Sequence, residues 1–179
     1  MAIHTLSPIP EVFLRELQEA VSTLLYPSES DAEIVVHQFT QDQIGERLSA
    51  TDIQKLFFPD VESMDELDVD YAMMERTDMN GYTNFFRHYI DKITQSPSGE
   101  IIFWEPAHRE RADKFRKLST LLLDNMLHQR WFKMNPNGAS QKGIFVGGQL
   151  VEITFNDETN EMTSTPSDWF VLATYTIET

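Results

Sequence analysis

Cysteine is missing from this 179-residue chain. Its absence excludes disulfide frameworks, Cys-ligated zinc and thiol catalysis. Basic residues are scarce, with 14 Lys and Arg against 29 Asp and Glu, a formal charge of −15 at pH 7. The resulting negative field repels nucleic acid and anionic membrane and draws in basic partners, so direct nucleic-acid binding is not expected. No apolar run approaches the roughly 18 residues that a transmembrane helix needs. Residues 1–8 lack a basic region followed by an apolar run, so no secretory signal is expected and the chain is read as a soluble, cytoplasmic protein.

The hydrophobic share is 41% and the aromatic share 11%, too high for intrinsic disorder and enough for one domain with its own core. Ser7, before Pro8 and Pro10, offers a helix start. Val12, Leu14, Leu17, Ala20, Val21, Leu24 and Leu25 then recur at helical spacing until Tyr26-Pro27. Residues 34–39 are β-branched and aromatic and predict a strand. Ser49 or Thr51 is placed to cap a short helix over 52–58, ended by Pro59. Phe85, Phe86, Tyr89, Ile90 and Ile93 fit another amphipathic helix, and residues 101–104 a short strand. Residues 106–128 carry the longest helical pattern, with Ala112, Phe115, Leu118, Leu122 and Met126 as its stripe.

Toward the C-terminus, residues 144–146, a Gly147-Gly148 turn and residues 150–155 predict a hairpin. Residues 156–168 read as a polar loop. In residues 169–177, Trp169, Val171, Ala173, Tyr175 and Ile177 share one face and Phe170 and Leu172 the other. A strand apolar on both sides is expected to be covered on both. Helices first and strands last point to an α+β fold, a mainly antiparallel sheet flanked by helices.

Little of the chemistry is distinctive. Asp78-Met79-Asn80-Gly81 has the look of a calcium loop, but the first and twelfth ligand positions fall on Arg76 and Arg87, so it reads as a turn. The histidines (His4, His37, His88, His108 and His128) are scattered without zinc spacing. There is no nucleophile elbow or Gly-rich phosphate loop. Neither a cofactor nor a metal of the protein's own is expected, and nothing selects an acid–base pair for an enzyme. Arg109, Arg111, Lys114, Arg116 and Lys117 are interleaved with Glu110 and Asp113, the pattern of a solvated helix face. Residues 60–78 hold Asp60, Glu62, Asp65, Glu66, Asp68, Asp70, Glu75 and Asp78 with Arg76 as the one base, and read as an exposed acidic loop. Thr179 presents a hydroxyl and an α-carboxylate together, hard oxygen donors of the kind Mg²⁺ accepts.

Several segments resemble the nuclease A inhibitor family, protein inhibitors of sugar-nonspecific DNA/RNA endonucleases. They are the first helix running into Leu24-Leu25-Tyr26-Pro27-Ser28-Glu29-Ser30-Asp31, then Asp52-Ile53 with Phe57-Phe58, and Ala112-Asp113-Lys114-Phe115-Arg116-Lys117-Leu118. Thr165-Pro166 and the tail Ile177-Glu178-Thr179 complete the set. The resemblance implies an α/β/α sandwich similar to the pathogenesis-related-protein type. It implies a partner, a basic nonspecific endonuclease, whose active site the inhibitor plugs. Thr179 would approach the nuclease's catalytic Mg²⁺, and Glu29 of the Ser28-Glu29-Ser30 turn would enter its substrate cleft. Glu178 matches the penultimate acid, and Ser30 and Asp31 complete the acidic turn. Residues 60–99 look inserted relative to the compact family form, within a single domain spanning 1–179. Within it, the acidic segment 60–78, with Tyr71, Met73 and Met74, supports an alternative: an acidic interaction or regulatory module on the same fold that inhibits no nuclease.

Overall fold

A computed structural model describes residues 2–26, 32–73 and 106–177. The helix expected over residues 85–93 and the strand expected over 101–104 lie outside them. The protein is α+β. Its main sheet runs in the order β4 (Val35–Phe39), β8 (Glu161–Ile177), β7 (Gln141–Asn156), β6 (Met126–Pro136), β5 (Leu67–Met73), and every neighbouring pair is antiparallel. A short β1 (Ile3–Thr5) pairs with residues 154–156 of β7, beyond the point where β6 stops. A separate two-stranded pair joins β2 (Leu25–Tyr26) to β3 (Ala32–Glu33).

Side chains alternate across the sheet, and each face buries its own core. On one face, α1 (Pro10–Val21) and α4 (Pro106–Asn125) press Phe13, Leu17, Phe115, Leu118 and Leu122 against Val146, Leu150, Phe170 and Leu172. Phe13 and Phe170 meet edge to face at 5.0 Å. On the other face, α2 (Gln41–Ile44) and α3 (Ala50–Phe57) set Ile44, Leu48 and Ile53 against Phe132, Phe145, Trp169 and Val171. The two-sided burial expected for residues 169–172 therefore holds, because β8 is an interior strand.

Local chemistry explains most element ends. Pro10 stands in the first turn of α1, where its missing N–H costs nothing. Ser49 caps α3, its Oγ accepting from the Asp52 N–H while Asp52 accepts from the Ser49 N–H. Ser7 caps no helix; its Oγ accepts from the Ile153 N–H and ties the N-terminal segment to β7. α4 passes into β6 with no loop. The buried Gln129 amide makes that possible, donating to the Leu122 and Met126 carbonyls that the helix end leaves open. Beside it, His128 takes a positive φ of 54° at the bulge where the β6–β7 register shifts.

Five further expectations give way. The first helix ends at Val21 rather than Tyr26, because Leu25 and Tyr26 turn into β2. Gly147-Gly148 is not a turn but lies inside the continuous β7. The residues are small because neighbours crowd them: a Cβ on Gly147 would sit 2.5 Å from Leu48 Cδ2, and one on Gly148 would sit 2.9 Å from Gln129 Cγ. The loop expected over 156–168 is a short turn followed by the first half of β8, with Pro166 placed at the β7–β8 bulge. The acidic loop expected over 60–78 contains β5, held in register by β6 from Leu67 opposite Pro136 to Met73 opposite Arg130. The helical reading of residues 126–128 also fails, since they begin β6.

Candidate functional site

The acidic turn and the C-terminal tail singled out by the resemblance (Ser28, Glu29, Ser30, Asp31, Glu178 and Thr179) lie outside the described residues. Their anchors are described. Tyr26 pairs with Ala32 at the mouth of the turn, and Ile177 pairs with Gln141 at the last described residue of β8. β4 and β8 are antiparallel, with Val35 opposite Ala173. Going back from Val35 and forward from Ala173 therefore leads to the same end of the sheet. Buried Ala32 packs there with Ile144 and Tyr175. Both anchors thus belong to one end of the molecule, brought together by strands far apart in sequence.

At this same end the described residues leave part of the second face of the sheet uncovered. α2 and α3 sit over Trp169 and Val171, and beyond them a groove of about 740 Å³ lies open. Its walls follow from the two-residue repeat of the strands. Glu33, Val35 and His37 come from the β3–β4 edge, Ala173 and Tyr175 from β8, and Gln141, Gly143 and Phe145 from β7. Met134 and Asn135 close one side, and Phe57 and Phe58 at the end of α3 close the other. Gly143 keeps the floor low, since a Cβ there would meet the Met134 carbonyl oxygen at 2.7 Å.

The groove is aromatic. His37 stacks on Phe39 at 6.1 Å and meets the Phe57 ring edge to face at 4.9 Å. Phe145 lies 4.8 Å from Phe57 and 5.9 Å from Phe58. Burial among these rings holds the His37 imidazole below its ordinary pKa, because the charged form loses hydration there. Glu33 is exposed at the rim. No Lys or Arg stands among the lining residues. A protein-family model search and a search of curated proteins both find no match to the chain.

Among the described residues, no group of three or more His, Asp or Glu is placed to hold a metal ion, and no helix is long and apolar enough to cross a membrane. Within the basic run on α4, Lys114 lies 3.5 Å from Glu110 and Arg116 2.7 Å from Asp113, local ion pairs between neighbouring turns. The sequence reading missed the groove because its residues come from five separate segments. The available signal was the spacing of Glu33, Val35 and His37, repeated in Gly143 with Phe145 and in Ala173 with Tyr175. Alternation of this kind reports which residues share a face, but not which strands are neighbours.

Proposed function

We propose that the protein inhibits a sugar-nonspecific, metal-dependent DNA/RNA endonuclease by occluding its active site, acting as a binder and not as a catalyst. One observation carries the reading: the strands that lead into residues 28–31 and the strand that leads into Glu178 and Thr179 converge on one end of the sheet. In this reading Glu29 takes the place of a substrate phosphate in a basic cleft, and Thr179 brings its oxygens to the nuclease's Mg²⁺. The fold is then an α/β/α sandwich of the pathogenesis-related type, a reading supported by helices packed on both faces of an antiparallel sheet. A cytoplasmic location and a basic partner belong to the same proposal. The −15 charge suits it, since a cleft built to hold a polyanion attracts an acidic protein at long range.

The test is to titrate the purified protein into DNA digestion by a Mg²⁺-dependent nonspecific nuclease. Stoichiometric inhibition is expected. Deleting Thr179, or replacing Glu29 with Ala, should weaken it by roughly 2–4 kcal/mol, with thermal unfolding unchanged. Full inhibition by both variants, or none by the intact protein, would overturn the proposal. The alternative, an acidic docking module, is favoured by one feature: β5 lies within the acidic segment and is, among the described residues, the last strand of the sheet order, a position where a further strand can add. Loss of a partner on replacing residues 60–66, with nuclease unaffected by the intact protein, would select it.

A further inference from the structure

The aromatic groove points to a ligand of its own, whatever the partner's activity. Its rings form one connected set, with Phe145 between Phe57 and Phe58 and His37 against Phe57. Ring faces attract cations, most strongly where part of the hydration shell is stripped. With His37 neutral at pH 7, Glu33 is, among the described residues, the one lining side chain that carries a formal charge. An anion entering here would meet that carboxylate and the field of a −15 chain, with no Lys or Arg in the wall to receive it. A wholly apolar guest would leave Glu33 unused. A volume near 740 Å³ falls inside the range of about 300–1,000 Å³ typical of ligand-sized sites and admits a long side chain with its flanking backbone.

The rim faces outward: Glu33 is exposed and Val35 is 50% exposed. On the other flank of the same edge, a second cavity of about 460 Å³ shares Glu33 and Val35 and reaches Ser22 and Thr23 at the C-terminal end of α1. That helix has no basic residue in its last turn, so its carbonyl end is left as a further attraction for cations. Both flanks of the β3–β4 edge therefore favour positive charge.

We propose that this groove receives an arginine or lysine side chain of a partner protein, its stem lying on Phe57, Phe58 and Phe145 and its charge meeting Glu33. The proposal does not depend on the nuclease reading, because a short peptide tests the groove while the digestion assay tests that reading.

The full chain is titrated with acetyl-Gly-Arg-Gly-amide and with the same peptide carrying citrulline, which keeps the stem and removes the charge. Ring signals of His37 and Tyr175 are followed by NMR. The arginine peptide should give saturable shifts with a dissociation constant on the order of millimolar, and the citrulline peptide should bind about fivefold more weakly. Glu33→Gln should bring the arginine peptide down to the citrulline level, with unchanged thermal unfolding. Equal affinities for the two peptides, no saturable shift, or an unaffected Glu33→Gln variant would overturn the proposal. So would tetramethylammonium binding as tightly as the arginine peptide, since a stem and backbone would then contribute nothing.

Discussion

The two faces of the sheet are built from the same strands but finished differently. The face under α1 and α4 is closed, with Phe13, Leu118, Leu122 and Phe170 all fully buried. Among the described residues, the face under α2 and α3 is closed around Leu48, Ile53, Phe132, Trp169 and Val171, and its far end is the aromatic groove. Length explains the contrast. Helices of 12 and 20 residues are about 18 and 30 Å long, whereas helices of 4 and 8 residues reach only about 6 and 12 Å and cover less of the strands beneath them. A short cover leaves apolar surface available to a partner, so the closed face holds stability and the half-open face offers recognition.

That division can be broken most forcefully on the closed face. Phe170→Ala removes a fully buried ring and its edge contact with Phe13, and should cost about 3–5 kcal/mol in urea unfolding. A loss below about 1 kcal/mol would mean that the face collapses around the void and is not close-packed. A smaller effect is expected where the cover of the groove is held. Ser49→Ala removes the reciprocal cap of α3, leaving the Asp52 N–H without its side-chain acceptor, and should cost about 1 kcal/mol. It should also shift the NMR signals of Phe57 and Phe58 while leaving those of Phe13 and Phe170 in place; shifts on both faces would deny their independence.

The smallest effect concerns His37. Its folded-state pKa lies below the ordinary value of 6.5 because burial penalises the cation. Between those two values the unfolded chain binds the proton more readily than the folded one, so stability falls as pH drops through that window and is fully present above it. His37→Phe keeps the ring and removes the proton site. Comparing its stability with the parent's from pH 7 to pH 5 should show a shallower decline. Parallel curves would mean that His37 titrates freely in the folded protein.

Several elements were legible in the residues themselves. The strand over 169–177 announces two buried faces, Ser49 or Thr51 announces a capped helix, of which the structure uses Ser49, and the stripe Phe115, Leu118 and Leu122 announces the face that α4 buries. β5 was hidden because Asp68 and Asp70 gave it the charge of a loop, while only its ladder with β6 makes it a strand. Asp68 is itself used in that pairing, accepting from the Asn135 side chain and from the Gly138 N–H. The start of β8 was hidden in the same way behind Thr163, Ser164, Thr165 and Pro166, residues that pair with β7 on an exposed stretch.

Gly147 and Gly148 mark the limit most clearly. Taken locally, two adjacent glycines mean backbone freedom and a turn. In the folded protein they mean the opposite, a straight strand with no room for a side chain, because Leu48 and Gln129 arrive there from elsewhere in the chain. The amino-acid sequence alone determined the acidic charge, the absence of thiol chemistry and the identity of the main amphipathic helices, since these depend on composition and on neighbours three or four residues apart. Strand order, the groove and the convergence of the two anchors were decided by the tertiary structure, because hydrogen-bond ladders join residues more than a hundred positions apart and no local pattern specifies which ladder forms.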